Sequence, residues 1–330
     1  MRSRPLGKTG LECSELALGT WGLSGDAYGP VSRNEQEKVL GRAVALGITL
    51  FETADCYAQG GMEALLAQTL APHPHCRIVS KIGTMVNGTP RRKRFDESFL
   101  YESLCNSMAR HQPRQPDVLL LHNPSLETVQ NGEATKWLHH HMQAGYFRSW
   151  GVSAGSASVA AAAMAQGAPV VELAFNVLWS GDYQAIEEQA RSHGTALIAR
   201  SVLAHGLLSG FWSSDRTFPP NDHRSERWTR EELHHRLQQL DALRPLLGGE
   251  ISTLRSVALR WVLQHELVST AVLGPRSCLQ LDQLVREAGK GPPYLSPASI
   301  QALETRLSDL GARTNVGVQP GMSHAMGAEK

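Results

Sequence analysis

Short apolar runs alternate with longer stretches in which apolar residues recur at helical spacing. The runs are "LALGTWG" (16–22), "ITLFETA" (48–54), "RIVSKIG" (77–83), "DVLLLHN" (117–123), "FRSWGVSA" (147–154), "VVELAFN" (170–176), "TALIARS" (195–201) and "STAVLGP" (269–275). They are apolar throughout rather than alternating, which predicts strands covered on both faces, as in a parallel sheet. Between them, "SRNEQEKVLGRAVALGI" opens on a capping signature and stops at Gly47, and "DESFLYESLCNSMARH" and "ASVAAAAMAQG" follow the same plan. Eight strand–helix units in this length predict a (β/α)₈ barrel. The rival, an open doubly wound sheet, usually carries Gly-x-Gly-x-x-Gly after its first strand, and none occurs here. "GKT" at 7–9 lacks the upstream glycine of a phosphate loop and reads as a turn. Residues 1–310 are expected to form one barrel domain, with a long loop from Phe211 to Arg230 over its mouth. The polar, Gly-rich 311–330 is expected to be a disordered tail.

Composition narrows the function classes. The 330 residues carry a formal net charge of +1, which gives no bulk electrostatic case for nucleic acid or an anionic membrane. No signal-peptide core and no membrane-length apolar run is present. The five cysteines are scattered without a Cys-x-x-Cys pair, which predicts reduced thiols, a cytoplasmic location and no zinc site.

In a barrel of this kind chemistry sits where the strands end. The second run ends in Glu52, with Tyr57 just beyond; the third holds Lys81 and the fourth His122. A carboxylate, a tyrosine, a lysine and a histidine from three neighbouring strands should converge. Lys81 lies among aliphatic residues, where an unpaired charge is costly, so a buried partner is expected, and Glu52 is nearest by topology. An ammonium beside a phenol eases loss of its proton, and a histidine can bond the same carbonyl oxygen. Such a group would protonate a carbonyl as a hydride arrives.

The chain resembles the aldo-keto reductase family from about Arg4 to about Asp309. "RPLGKTGLECSELALGTWG" is similar to the family's opening, and "FETADCYAQGGMEALL" to its Phe-Asp-Thr-Ala-x-x-Tyr-Gly-x-Gly-x-Ser-Glu stretch. "QAGYFRSWGVSA", "ARSVLAHGLLSG", "SVALRWVLQH" and "VLGPRSCLQLDQL" match later blocks in order. The resemblance implies a (β/α)₈ barrel using NADPH without a Rossmann domain. It makes Tyr57 the proton donor, Lys81 the group that tunes it and His122 the one that orients the substrate carbonyl. Glu52 stands where the family has aspartate. Asp55 is not a substitute, because the five-residue spacing to Tyr57 belongs to Glu52. Trp21 and Tyr28 are expected to line the pocket for a small-molecule carbonyl substrate.

For the cofactor, the resemblance places Ser153 and Glu172 at the nicotinamide carboxamide, though the family has a glutamine at the second position, and Ala154 replaces an asparagine. Glu172 accepts from an amide NH₂ but cannot donate unless protonated. Arg200 takes the place of the usual stacking aromatic, and Ser201, Leu203 and Gly206 match the pyrophosphate loop. Phe211 stands where many relatives have lysine. Arg276, Ser277 and Gln280 match the adenosine-phosphate block, where arginine suits a 2′-phosphate and so NADPH; Leu284 replaces an adenine-contacting asparagine. The departures leave two other readings open: a specialised biosynthetic enzyme with non-redox proton transfer, or a cofactor-binding regulator with little turnover. A monomer or small homo-oligomer is expected. "HHH" at His139–His141 reads as a polar helix end, "RRKR" at Arg91–Arg94 as a solvated loop, and His234 and His235 as surface positions on a polar helix.

Overall fold

The computed structural model describes residues 1–85, 92–249 and 251–309; the expected tail and Arg91 lie outside the described residues. Eight parallel strands close into a barrel. Preceded by a short hairpin of β1 (Ser3–Pro5) and β2 (Glu12–Ser14), they are β3 (Leu16–Gly19), β4 (Leu50–Glu52), β5 (Arg77–Ile82), β6 (Val118–His122), β7 (Ser149–Ser153), β8 (Val170–Ala174), β9 (Ala196–Arg200) and β10 (Val268–Leu273). Each barrel strand falls within one of the eight apolar runs, save that β10 begins one residue early. The strands are shorter than the runs because residues at the run ends, such as Asn123 and Ser201, already turn into loops.

The unbroken apolar character has a direct cause. Alternate strand residues face in and out, and both sides are buried. Leu50, Val79, Leu120, Val170 and Ile198 pack inside the barrel, whereas Phe51, Ile78, Leu119, Leu121 and Val171 join the layer under the helices. Each fully buried side chain of this size contributes about 1.5–3 kcal/mol. The helices start where the sequence caps them. Ser32, Asp96 and Ser156 accept hydrogen bonds from the first turns of helices Arg33–Ala45, Glu97–Arg110 and Ala157–Ala165. Thr229 and Glu232 form a full capping box on Arg230–Leu243.

The hairpin was not expected, since its strands are too short to show a period. It turns through "LGKTG", where Gly7 backs so closely onto Ala196 N that a Cβ would lie 2.5 Å away. Leu6 and Leu11 plug the N-terminal end of the barrel. At the opposite end, His223 in the long loop donates its backbone N–H to Ala27 O, tying that loop to the one after β3. Among the described residues no helix is long and apolar enough to cross a membrane.

Candidate active site

Glu52 closes β4 and Lys81 lies two residues further along β5, counted from Val79, the register partner of Glu52. Both side chains point into the mouth and are buried, and the Glu52 carboxylate contacts the Lys81 ammonium directly. The expected pairing therefore forms. Gly19 at the end of β3 leaves the room it needs: a Cβ there would lie 2.8 Å from Glu52 Oε2 and 2.7 Å from Val272 Cγ1. Lys81 has a second carboxylate, Glu172 Oε2 at 3.8 Å, on a side chain with no solvent exposure. Burial pushes the Lys81 ammonium down to about 8, against the pull of Glu172 and with the help of Arg200. Neither Glu172 oxygen has a hydrogen-bond partner among the described residues.

Tyr57 begins the short helical turn after β4, and Lys81 Nζ lies 5.2 Å from its ring centroid. The expected easing of its proton does not dominate in the resting site. Burial holds the phenol well above its ordinary value, reinforced by Cys56 and Glu172 and opposed by Arg200. Tyr57 is thus a fully protonated donor at neutral pH. Its ring stands edge-on to His122, centroids 6.0 Å apart.

His122 closes β6, and its Nδ1 lies 3.2 Å from Thr84 Oγ1 and 3.8 Å from Cys56 Sγ. Lys93 donates to Thr84 Oγ1 at 2.7 Å. One member of the basic run is therefore a site residue rather than a solvated charge, a correction no charge count could supply, because the fold alone brings the loop back over β5. Asp55 is buried behind this corner and accepts from Gly83 N at 3.3 Å. Burial, then the nearby Glu63, raises its carboxyl to about 7. Its backbone N–H donates to Lys81 O at 2.9 Å, while the carboxylates that face the Lys81 ammonium among the described residues are those of Glu52 and Glu172. Asp55, Cys56 and His122 bring ligand-type atoms within 4.8 Å of one another, but the Lys93 ammonium already supplies this corner with a cation.

Around the rim, Trp21 and Tyr28 pack together, centroids 5.5 Å apart, and enclose His205 and His223. Burial, with Arg227 next, drives the His205 imidazolium well below its usual range, and burial and Arg227 take His223 down to about 3. Both imidazoles are neutral, so the rim's positive charge rests on Arg200, Arg224, Arg227 and Arg276. His205, His223, Arg224 and Arg227 carried no separate signal in sequence; only proximity to Trp21 marks them.

The remaining expected residues divide. Ser153 lies beside Glu172 in register and faces Asn123 Oδ1 at 3.4 Å, a neighbour that the spacing did not suggest. Arg200 donates to Ala154 O at 2.9 Å, leaving its Nε without a partner among the described residues. Ser201, Leu203 and Gly206 form the loop after β9. Arg276 donates to Gly29 O and Pro30 O, Ser277 caps helix Cys278–Ala288, and Gln280 accepts from Arg276 N. Phe211 is 74 % exposed, and Leu284 is buried packing. Among the described residues, six non-glycine residues have positive φ: Ala58, Gln59, Asn123, Ser201, Ala204 and His205. All follow β4, β6 or β9 at this one face, where such strain is a mark of function.

Of two weaker signals, one resolves as packing and the other as surface. His139 and His140 are exposed, but His141 is buried against Trp137 with centroids 3.9 Å apart, so the triplet is not merely a polar helix end. His234 and His235 lie exposed on their helix.

Comparison with known proteins identifies the family. A family model described as "Aldo/keto reductase family" matches residues 15–291. The chain is 24% identical over 301 residues to Aldo-keto reductase YhdN of Bacillus subtilis (strain 168), covering 88% of this chain and 89% of that protein. Among solved structures, the glycerol dehydrogenase AKR11B4 from Gluconobacter oxydans superposes with a TM-score of 0.79 at 22% identity, covering 93% of this chain and 95% of that one. The holo form of aldo-keto reductase AKR11C1 from Bacillus halodurans gives 0.78 at 22% identity, covering 93% and 96%. These structural likenesses establish a shared barrel.

Proposed function

Since the chain belongs to the aldo/keto reductase family, we propose that it reduces an aldehyde or ketone to an alcohol with NADPH, with Tyr57 as proton donor. The observation that carries this reading is the meeting of Tyr57, Lys81, Glu52 and His122 in one buried corner at the barrel mouth. A carbonyl oxygen seated between Tyr57 and His122 receives two hydrogen bonds, and Tyr57 delivers its proton as negative charge builds there. Lys81 stabilises the resulting phenolate, and Glu52 keeps the ammonium in place.

The residues present fit a nicotinamide dinucleotide. Glu172 offers two buried acceptor oxygens that have no hydrogen-bond partner among the described residues, one of them 3.8 Å from Lys81 Nζ, suited to a carboxamide NH₂, and Ser153 stands next to it. Arg276 and Ser277 sit at the start of a helix, where backbone N–H groups and the dipole favour a phosphate. Gly22 keeps the approach open, since a Cβ there would lie 3.1 Å from Gly274 O. When bound, NADPH supplies the hydride. Arg276 favours it over NADH through its extra phosphate, and the rim arginines draw its negative charge to the mouth.

The test joins a tryptophan-fluorescence titration with NADPH and NADH to a panel of small carbonyls. We expect tighter binding of NADPH and turnover of at least one carbonyl. Tyr57→Phe should bind NADPH as before and lose about 100-fold or more of that turnover, the scale of a lost general acid. Near-normal turnover in Tyr57→Phe would place the proton elsewhere.

A further inference from the structure

His122 can assist a carbonyl only if the ring nitrogen facing the substrate carries a proton, and a neutral imidazole carries one proton on one of two nitrogens. What lies behind the ring therefore decides what it can do in front. Thr84 Oγ1 lies within hydrogen-bond reach of Nδ1, at 3.2 Å, and its side chain is buried. Lys93 Nζ approaches the same oxygen at 2.7 Å. An ammonium has only protons to give, so Thr84 accepts from Lys93. The hydroxyl still has its own proton to place. Of its two side-chain partners among the described residues, Lys93 cannot accept it and His122 Nδ1 can.

We infer that Lys93 and Thr84 form a one-way donor chain that holds His122 in the Nε2–H tautomer, making Lys93 and Thr84 positioning residues for the carbonyl-binding histidine. The charge works the same way as the hydrogen bonds. An ammonium beyond Thr84 polarises the hydroxyl toward Nδ1 and disfavours a second N–H dipole pointing at it. The Cys56 thiol, at 3.8 Å from Nδ1, competes poorly as an acceptor for a proton there, because sulfur accepts weakly. No bond is made or broken in this role. The chain selects which nitrogen bears the proton before substrate arrives. It also gives the basic run after β5 a purpose, since Lys93 is the member turned inward, while Arg92 and Arg94 are exposed.

The tautomer itself does not depend on the reductase reading; its use in catalysis does. The experiment is ¹⁵N NMR of the full chain with labelled histidine, with the His122 signals assigned by their loss in His122→Ala. We expect an acceptor-type Nδ1 and a protonated Nε2. Thr84→Val and Lys93→Met should raise the Nδ1–H population and lower kcat by roughly 10–100-fold, the scale seen when the group orienting a functional histidine is removed. NADPH affinity should stay unchanged, and Thr84→Ser, which keeps the hydroxyl, should restore tautomer and rate together. A protonated Nδ1 in the unmodified protein would overturn the inference. So would an unchanged tautomer in Thr84→Val. Were the tautomer as expected while no carbonyl of the panel was reduced, the assignment would stand and the reductase reading would fall.

Discussion

The two ends of the barrel hold buried charges in opposite ways. At the N-terminal base, the Arg4 guanidinium donates to Val268 O, Leu263 O and the Tyr294 hydroxyl, and the Tyr294 hydroxyl in turn contacts Glu15. Apart from Arg4 Nε, this charge is fully occupied by the protein itself. At the mouth, among the described residues, the two Glu172 oxygens, Asp55 Oδ1 and Arg200 Nε have no hydrogen-bond partner, and the positive-φ residues gather beside them. An unmet buried polar group costs about 1–3 kcal/mol. The base spends its polar groups on closing the fold, whereas the mouth keeps them in reserve for something that binds.

Breaking the Glu52–Lys81 pair at the mouth should have the largest effect. Glu52→Ala leaves the buried ammonium only the more distant Glu172 carboxylate and should cost up to about 3–5 kcal/mol of stability along with activity. Glu52→Asp keeps the charge one methylene shorter and should retain fold and turnover. Chemical denaturation and the carbonyl assay check both; an unaltered Glu52→Ala would reduce Glu52 to an ordinary strand end.

Asp55 sharpens the contrast through pH. Its carboxyl titrates at about 7 in the fold against 3.8 in a free chain. Below 3.8 both states are protonated and nothing is lost. Between 3.8 and 7 the unfolded chain sheds its proton and the fold keeps it, so stability falls as pH rises, and the loss is complete above 7. Asp55→Asn should therefore leave the melting temperature unchanged at pH 4 and raise it at pH 8, by up to a few kcal/mol of stability. An equal effect at both pH values would show that the carboxyl is not titrating there.

At the base, Arg4→Ala should lower stability by about 1.5–3 kcal/mol, the range for a hydrogen-bonded charge, while KM and cofactor affinity stay unchanged. A shift in KM would mean that the two ends are coupled. The smallest effect belongs to Glu172. If its carboxylate faces the nicotinamide, it favours the cationic oxidised ring, and Glu172→Gln should shift the affinity ratio toward NADPH over NADP⁺ by about tenfold, or 1.4 kcal/mol. A constant ratio in paired titrations would leave Glu172 as no more than a counter-ion of Lys81.

The barrel could be read because each strand is buried on two faces, which writes an unbroken apolar run. The hairpin could not, because three-residue strands carry no period. Within the site the same division holds. Glu52, Lys81 and His122 end apolar runs and announce themselves by interrupting them. Thr84 and Lys93 lie in a loop, and His205 and His223 in loops far apart along the chain; nothing local marks residues that only tertiary folding brings together. Sequence also put the sign of the Tyr57 shift the wrong way for the resting state, since burial depends on how much protein covers the ring rather than on which residues neighbour it in the chain.

The missing side chain at Gly19 has a consequence for how this mouth can change by mutation. A Cβ there would strike both Glu52 Oε2 and the Val272 methyl, so alanine at 19 and glutamate at 52 exclude one another in the present packing. An aspartate at 52 would withdraw one obstacle, and a smaller residue at 272 the other. The three positions are therefore coupled: a shorter carboxylate at 52 and a smaller residue at 272 each remove one of the two contacts that an added atom at Gly19 would make.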